Sequence, residues 1–341
     1  MARTAVSGAD LSQSVQHAPS RNGNGTALSS DRLLAIYRLM LLSRRTDDRE
    51  IILKNQQKVF FQISGAGHEA LLVAAGLSLR PAYDWFFPYY RDRALSLALG
   101  TSVEDHFLQG VGAATDTASG GRQMPSHWTS PQLHIVSPSS STATQCLQAV
   151  GCAEASVYLT RNPDAAQPGD PAHPDYRQYH PVDFHGDEVV YVSIGEGATS
   201  QGEFWESISV ASNLKLPVLF VVEDNGYAIS VPVEVNTPGG NISRLLASFP
   251  NFHFEEVDGT DPIACLTAFE AAVAHCRARK GPALVHGHVT RPYAHSHSDD
   301  ARLYRPESER DAESLRDPIQ KFRTYLLHEN IADTESLDRI E

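Results

Sequence analysis

Apolar residues recur at helical spacing in Leu33, Leu34, Ile36, Tyr37, Met40 and Leu41, directly after the cap pair Ser30-Asp31. An amphipathic helix is expected to open there. Further helical patterns fall at 68–79, 93–108, near 143–160, 203–213, 262–279 and 317–328. Three runs break that period: EVVYVSI (188–194), PVLFVV (217–222) and ALVHGHV (283–289). They are short, β-branched and mostly apolar, the pattern of strands buried on both faces. The first two flank the helical segment 203–213, and strand, helix, strand in so short a span is a βαβ unit with parallel neighbours. The expected class is α/β, a parallel sheet flanked by helices.

The segments without a period are equally informative. Residues 1–30 read as loop chemistry (RNGNGTALSS), so a disordered N-terminal arm is expected at 1–30 and one domain over 31–341. Gly110–Ser141 is rich in Gly, Pro and Ser, and a loop that long inside a compact domain means either function or an element that the pattern does not reveal. Segment 161–187 is turn-rich and expected on the surface.

Composition narrows the class. A hydrophobic content of 41% with 20% charged residues describes a globular chain with an ample core, not a collagen-like or wholly disordered one. Lys+Arg 28 against Asp+Glu 41 gives a net charge of −13, which argues against a nucleic-acid partner held through its phosphates. The longest apolar run, Leu216–Val222, includes a proline and falls far short of the ~18 residues of a membrane helix, so no membrane partner is expected. Cys146, Cys152, Cys265 and Cys276 show no CxxC spacing, which suits a reducing, cytoplasmic compartment.

The loop GEGATSQGE (195–203) leaves the carboxyl end of a parallel strand, where open α/β sheets bind ligands. Its glycines let backbone approach an anion, and the helix N-terminus that follows favours negative charge. Glu196 does not suit a pure phosphate cradle unless a cation lies between. The next strand ends at Asn225, in EDNGYAIS, so both residues reach one sheet edge. Carboxylate and amide oxygens there make a hard site for magnesium, with diphosphate oxygens completing the shell. A competing chemistry starts from His286, His288, His295 and His297, which could suggest a zinc hydrolase, although HExxH is absent. His127 lies in the long loop, and His68 opens a helix that it could cap.

These residues resemble a known family. The span from Gly195-Glu196-Gly197 to Asn225 looks like the thiamine diphosphate motif, which normally begins Gly-Asp-Gly and ends Asn-Asn. SGAGHEA (64–70), FPYYRDRALSLALG (87–100), GRQMPSHW (121–128) and TATQCLQAVGCAEA (142–155) extend the match. So do GEGATSQGEFWESI (195–208), VVEDNGYAIS (221–230), HSHSDDARLYR (295–305) and DPIQKFRTYLL (317–327). Over about residues 32–341 the chain is similar to the alpha chain of the thiamine diphosphate-dependent decarboxylating component of 2-oxo acid dehydrogenase complexes. GRQMPxH, the GEG variant and HSxSDD followed by YR make it most like the branched-chain (2-oxoisovalerate) type.

That resemblance implies a set of roles. Magnesium would be held by Glu196, the side chain of Asn225 and the carbonyl of Tyr227. Tyr90, Arg91 and His295 would contact the diphosphate, with Gly197 and Ala198 lending backbone. Ser140 and Thr142 would meet the aminopyrimidine. Ser139, Thr144 and Gln145 match a potassium loop, though SSSTATQ lacks the usual proline at Ser141. His295 and His127 are the candidates for proton handling and substrate contact. The implied reaction is oxidative decarboxylation of a 3-methyl-2-oxobutanoate-type acid with reductive acylation of the lipoyl group of an acyltransferase component. The implied assembly is an α2β2 heterotetramer, in which a beta chain supplies the glutamate that activates the cofactor. The alternatives are a pyruvate dehydrogenase alpha subunit and a non-catalytic scaffold of the same family. Family chains continue past SLDRIE, so a truncated chain or half of a fused product is expected. Ser296 and Ser298 sit where some relatives are phosphorylated; here they read as a polar loop.

Overall fold

The computed structural model describes residues 28–165 and 184–341. Most of the expected arm and of the 161–187 insertion lie outside these residues. Within the arm's predicted bounds, Leu28 is already packed into the core, and Ser29 rather than Ser30 caps the first helix.

Five parallel strands build the main sheet: β1 Trp85–Phe87, β2 Val190–Gly195, β3 Val218–Asp224, β6 His253–Asp258 and β7 Ala283–His288, in the spatial order β1-β2-β3-β7-β6. A two-stranded ribbon, β4 Tyr227–Ala228 with β5 Val231–Pro232, follows β3. The helices are α1 Ser30–Asn55, α2 Glu69–Ser78, α3 Arg93–Leu99, α4 Val103–Gly110, α5 Thr144–Arg161 and α6 Gly202–Leu214. They continue with α7 Val233–Asn236, α8 Ile242–Leu246, α9 Pro262–Arg277, α10 Glu307–Ser314, α11 Pro318–His328 and α12 Thr334–Ile340.

The strands alternate sides, so each feeds two cores. Tyr191, Leu219, Val221, Ala283 and Val285 pack with α1, α2, α9 and α11. Val190, Val192, Ile194, Val218, Phe220, Val222 and Leu284 pack with α5, α6 and α8. Burial on both faces is why these strands read as unbroken apolar runs.

Three features depart from the sequence reading. The helix expected at 93–108 is two: Gly100 adopts φ 110° and closes α3 as a left-handed cap, and Ser102 with Asp105 forms a capping box that restarts α4. Between the helical patterns 68–79 and 93–108, where no strand is expected, DWFFPYY contains β1, paired to β2 from Trp85↔Val190 to Phe87↔Val192. The polar run HFEEVD forms the edge strand β6 against β7.

Candidate functional site

The carboxyl ends of β1, β2, β3 and β7 converge on one cavity of about 450 Å³, lined by every residue expected to meet the magnesium or the thiamine diphosphate and by His127, but not by Ser139, Thr144 or Gln145 of the potassium-like loop. Tyr90 and Arg91 come from the loop after β1, Glu196, Gly197 and Ala198 from the turn after β2, and Asn225 and Tyr227 from the end of β3 and β4. His295 arrives from the loop after β7, while His127, Ser140 and Thr142 come from the long segment between α4 and α5. Strand order explains the convergence: the chain turns back at the β3–β7 boundary, where the connections diverge and leave a crevice.

Two glycines set how closely backbone approaches. A Cβ on Gly197 would lie 2.5 Å from the Cβ of Ala228, and one on Gly195 would lie 2.9 Å from the Tyr89 hydroxyl. Neither position accepts a side chain without displacing the floor of the cavity.

Glu196 is 2% exposed, and burial followed by the neighbouring Asp224 pushes its carboxyl up to about 8. Its Oε2 accepts the Asn225 N–H at 3.4 Å, while Glu196 Oε1 and Asn225 Oδ1 are buried with no protein partner. Arg91 is buried, donates to the Ser64 carbonyl, and reaches His295 at 3.1 Å on Nδ1 and 3.0 Å on the carbonyl. A guanidinium only donates, so His295 Nδ1 accepts and the ring proton sits on Nε2. Burial, then Arg91 and Arg291, lower the His295 imidazole to about 4, which keeps it neutral near pH 7. Arg91 Nε and the Nε and Nη1 of buried Arg291 also lack protein partners.

Unpaired buried oxygens beside unpaired buried guanidinium donors are costly unless a cation and an anion complete them. This donor set fits a hard divalent ion bridged to a phosphate-bearing group. Tyr227 can offer such an ion only its main chain, since its hydroxyl donates to Glu309 at 2.9 Å.

Comparison with known proteins identifies the family. Residues 37–341 match the Dehydrogenase E1 component family. The chain belongs to this family. It is 33% identical to the 2-oxoisovalerate dehydrogenase subunit alpha of Bacillus subtilis (strain 168), over 90% of this chain and 86% of that one. It is 30% identical to the 3-methyl-2-oxobutanoate dehydrogenase subunit alpha of Mycobacterium tuberculosis (strain CDC 1551 / Oshkosh), over 88% of this chain and 71% of that one. To the pyruvate dehydrogenase E1 component subunit alpha of Acholeplasma laidlawii it is 26% identical, over 92% and 81%. Membership of the dehydrogenase E1 family implies thiamine diphosphate as cofactor and a complex with a beta subunit.

Other polar groups of this E1 chain are placed only by the fold. His68 stands at the N-cap of α2, but its side chain makes no cap hydrogen bond. It is fully buried, with Nδ1 2.6 Å from Glu223 Oε2. Burial and Arg91 hold His68 well below its usual range, while burial and Asp92 hold Glu223 well above its own. Both shifts disfavour the charged forms of the pair. His127 is pinned at both nitrogens: Nδ1 lies 3.2 Å from the Pro125 carbonyl and Nε2 2.6 Å from Ser140 Oγ. A carbonyl only accepts, so Nδ1 carries the proton and Nε2 accepts from the Ser140 hydroxyl. In the loop that resembles a potassium site, Gln145 Nε2 donates to the Ser193 carbonyl at 3.2 Å, and Ser139 Oγ accepts the Ser141 N–H at 3.1 Å.

The four histidines of the hydrolase alternative do not form one centre. His286 and His288 sit on β7 against Asp224, His295 joins Arg91, and His297 lies 2.8 Å from Asn55 Oδ1. Sequence reasoning also passed over Arg291. Its signal, a lone arginine in the loop after β7 (VTRPY), is indistinguishable from a surface residue until the burial is known.

Proposed function

We propose that this chain is the alpha subunit of a 2-oxo acid dehydrogenase acting on branched-chain substrates of the 3-methyl-2-oxobutanoate type, and that it binds thiamine diphosphate and Mg2+ in the cavity at the strand ends. The observation that carries this reading is the meeting, in one cavity, of unpaired Glu196 and Asn225 oxygens with Arg91 and His295. Similarity to the two branched-chain alpha subunits at 33% and 30% identity supports the substrate class over pyruvate, whose relative stands at 26%.

When bound, the cofactor supplies the electron sink that lets the bond to the leaving carboxylate break. The residues of this chain bind, orient and exclude water. Glu196, Asn225 and the main chain of Tyr227 hold the magnesium, and Arg91, Tyr90 and His295 the diphosphate. Gly197 and Ala198 bring backbone against it. His295 donates only from Nε2, because Arg91 occupies its Nδ1. His127 fixes the Ser140 hydroxyl and through it the rim near Thr142. In an α2β2 assembly, the beta chain completes the site and a lipoyl acyltransferase component receives the acyl group. The cysteines are free, which supports a reducing, cytoplasmic setting.

The test is co-expression with a beta chain and assay of thiamine diphosphate- and Mg2+-dependent decarboxylation with a dye acceptor. Preference for 3-methyl-2-oxobutanoate over pyruvate is expected. Preference for pyruvate would move the substrate class while leaving the site reading intact. Turnover by the isolated chain would overturn the need for a partner, and cofactor binding without turnover in the assembly would favour the scaffold alternative.

A further inference from the structure

A second cluster stands on the other side of the β3 end. Asp224 ends β3 directly opposite His288 on β7, with His286 two residues back on the same face. Asp224 Oδ2 lies 3.0 Å from His286 Nε2 and 3.6 Å from His288 Nδ1, and one ligand atom from each residue falls within 4.8 Å of the other two. The longer distance is too great for a hydrogen bond. It does suit two ligands of one ion, because donors at ~2.0–2.1 Å from a tetrahedral centre stand roughly 3.3 Å apart.

Each imidazole is also backed by an oxygen on its far nitrogen. His286 Nδ1 lies 3.0 Å from Ser243 Oγ, and His288 Nε2 lies 2.8 Å from Glu256 Oε1. Asn241 Nδ2 donates to that same glutamate oxygen at 2.8 Å and holds it in place. An oxygen behind each ring is how metal-ligating histidines are oriented and their tautomers set. Asp224 is fixed as well, since its Oδ1 accepts the Gly226 N–H at 2.8 Å. Asp224 and His288 line a further cavity of about 450 Å³, which leaves room for a fourth, non-protein ligand.

We propose that Asp224, His286 and His288 form a binding site for one Zn2+ ion, separate from the oxygen site of Glu196 and Asn225. Two imidazoles and one carboxylate favour zinc over magnesium, which prefers oxygen ligands alone. The ion ties the ends of β3 and β7 together and braces the Asp224–Gly226 turn from which Asn225 projects. Zn2+ is here a positioning element, and no residue of the first cavity is among its ligands.

The test uses the full chain co-purified with its beta chain, with excess Mg2+ and thiamine diphosphate filling the oxygen site. Co2+ is titrated as a spectroscopic probe, and Zn2+ is then added as competitor. One Co2+ per chain is expected, with the intense visible absorption of a low-coordinate, nitrogen-bearing site, abolished by Zn2+. His288→Asn, at a partly exposed position, loses that spectrum, and Glu256→Gln weakens Co2+ affinity about 10–100-fold. With cofactor and Mg2+ in excess, thiamine diphosphate is still bound in both, because Glu196 and Asn225 are untouched. Absence of the spectrum in the unmodified assembly, or its persistence in His288→Asn, overturns the proposal. The readout needs only Mg2+ excess, so it distinguishes failure here from failure of the cofactor reading.

Discussion

Glu223 and Asp224 are consecutive residues of β3, and each meets a histidine, at 2.6 Å and 3.0 Å respectively. The two acid–histidine pairs nevertheless differ in kind. Glu223 faces the α2 layer, fully buried with Asp92 nearby, and burial together with that carboxylate raises it well above its usual range. Asp224 faces the opposite layer. Burial works against its charge, but the His286 hydrogen bond and the Gly226 N–H outweigh it and hold the carboxyl below its usual range. One pair is a fully buried strut beside the α2 layer, the other a cluster open to a second, adjoining cavity. An acid beside a histidine therefore says little until its layer, its second neighbour and its access to solvent are known.

Glu196 is coupled electrostatically to both acids and should break the two pairs apart most sharply. Glu196→Gln keeps the shape but removes the charge that a hard ion needs. Cofactor-dependent decarboxylation by the assembled enzyme should fall more than about 100-fold, with Co2+ absorption at the histidine cluster retained. Loss of both signals would show the two sites to be one.

Gly197→Ala is expected to come next, because the added methyl would press on Ala228 at 2.5 Å. Overpacking of this kind costs about 1–3 kcal/mol, and a lower melting temperature with reduced thiamine diphosphate retention would register it. An unchanged enzyme would mean that the turn after β2 can move.

The pH dependence sharpens the comparison further. Glu196 is held up to about 8, so below that pH it carries a proton that a cation must displace. Apparent Mg2+ affinity should rise with pH by up to about tenfold per unit and level off above pH 8. For folding without a cation the sign is opposite: a carboxyl raised in the folded state stabilises below its unfolded value, and that contribution is lost as pH climbs through about 8. Calorimetric Mg2+ titration between pH 6.5 and 8.5 checks the first statement, and a flat profile would contradict it.

The smallest effect belongs to the strut. Glu223→Gln preserves a neutral hydrogen-bonding group and should cost less than about 1 kcal/mol, whereas Glu223→Ala leaves His68 unpaired and should cost about 1–3 kcal/mol. Denaturant midpoints of the two variants decide this. Equal and large losses would mean that Glu223 is charged after all.

Much of this molecule was readable before any fold. Val190–Gly195 and Val218–Asp224 announce themselves because burial on both faces demands unbroken apolar runs, and Glu196 and Asn225 then follow at their carboxyl ends. β1 and β6 were hidden for opposite reasons. Trp85–Phe87 is too short to show a period, and His253–Asp258 carries the charges an edge strand tolerates, with burial only partial along it. The break at Gly100 carries a visible stop and restart, LGTS, but an apolar period on both sides masks it.

By itself, then, the sequence determined the α/β class, the order of the strand-end loops and the residue types gathered at them, since local period and motif spacing depend only on chain geometry. The tertiary structure alone decided that β7 enters between β3 and β6. That single non-local pairing, between residues ~60 apart in the chain, sets His286 and His288 against Asp224 and brings His295 to Arg91. It also buries Glu223 against His68 through the packing of α2. Parallel neighbours are joined by long crossovers, so which strands meet is settled by how the two helical layers pack, and no local pattern records it.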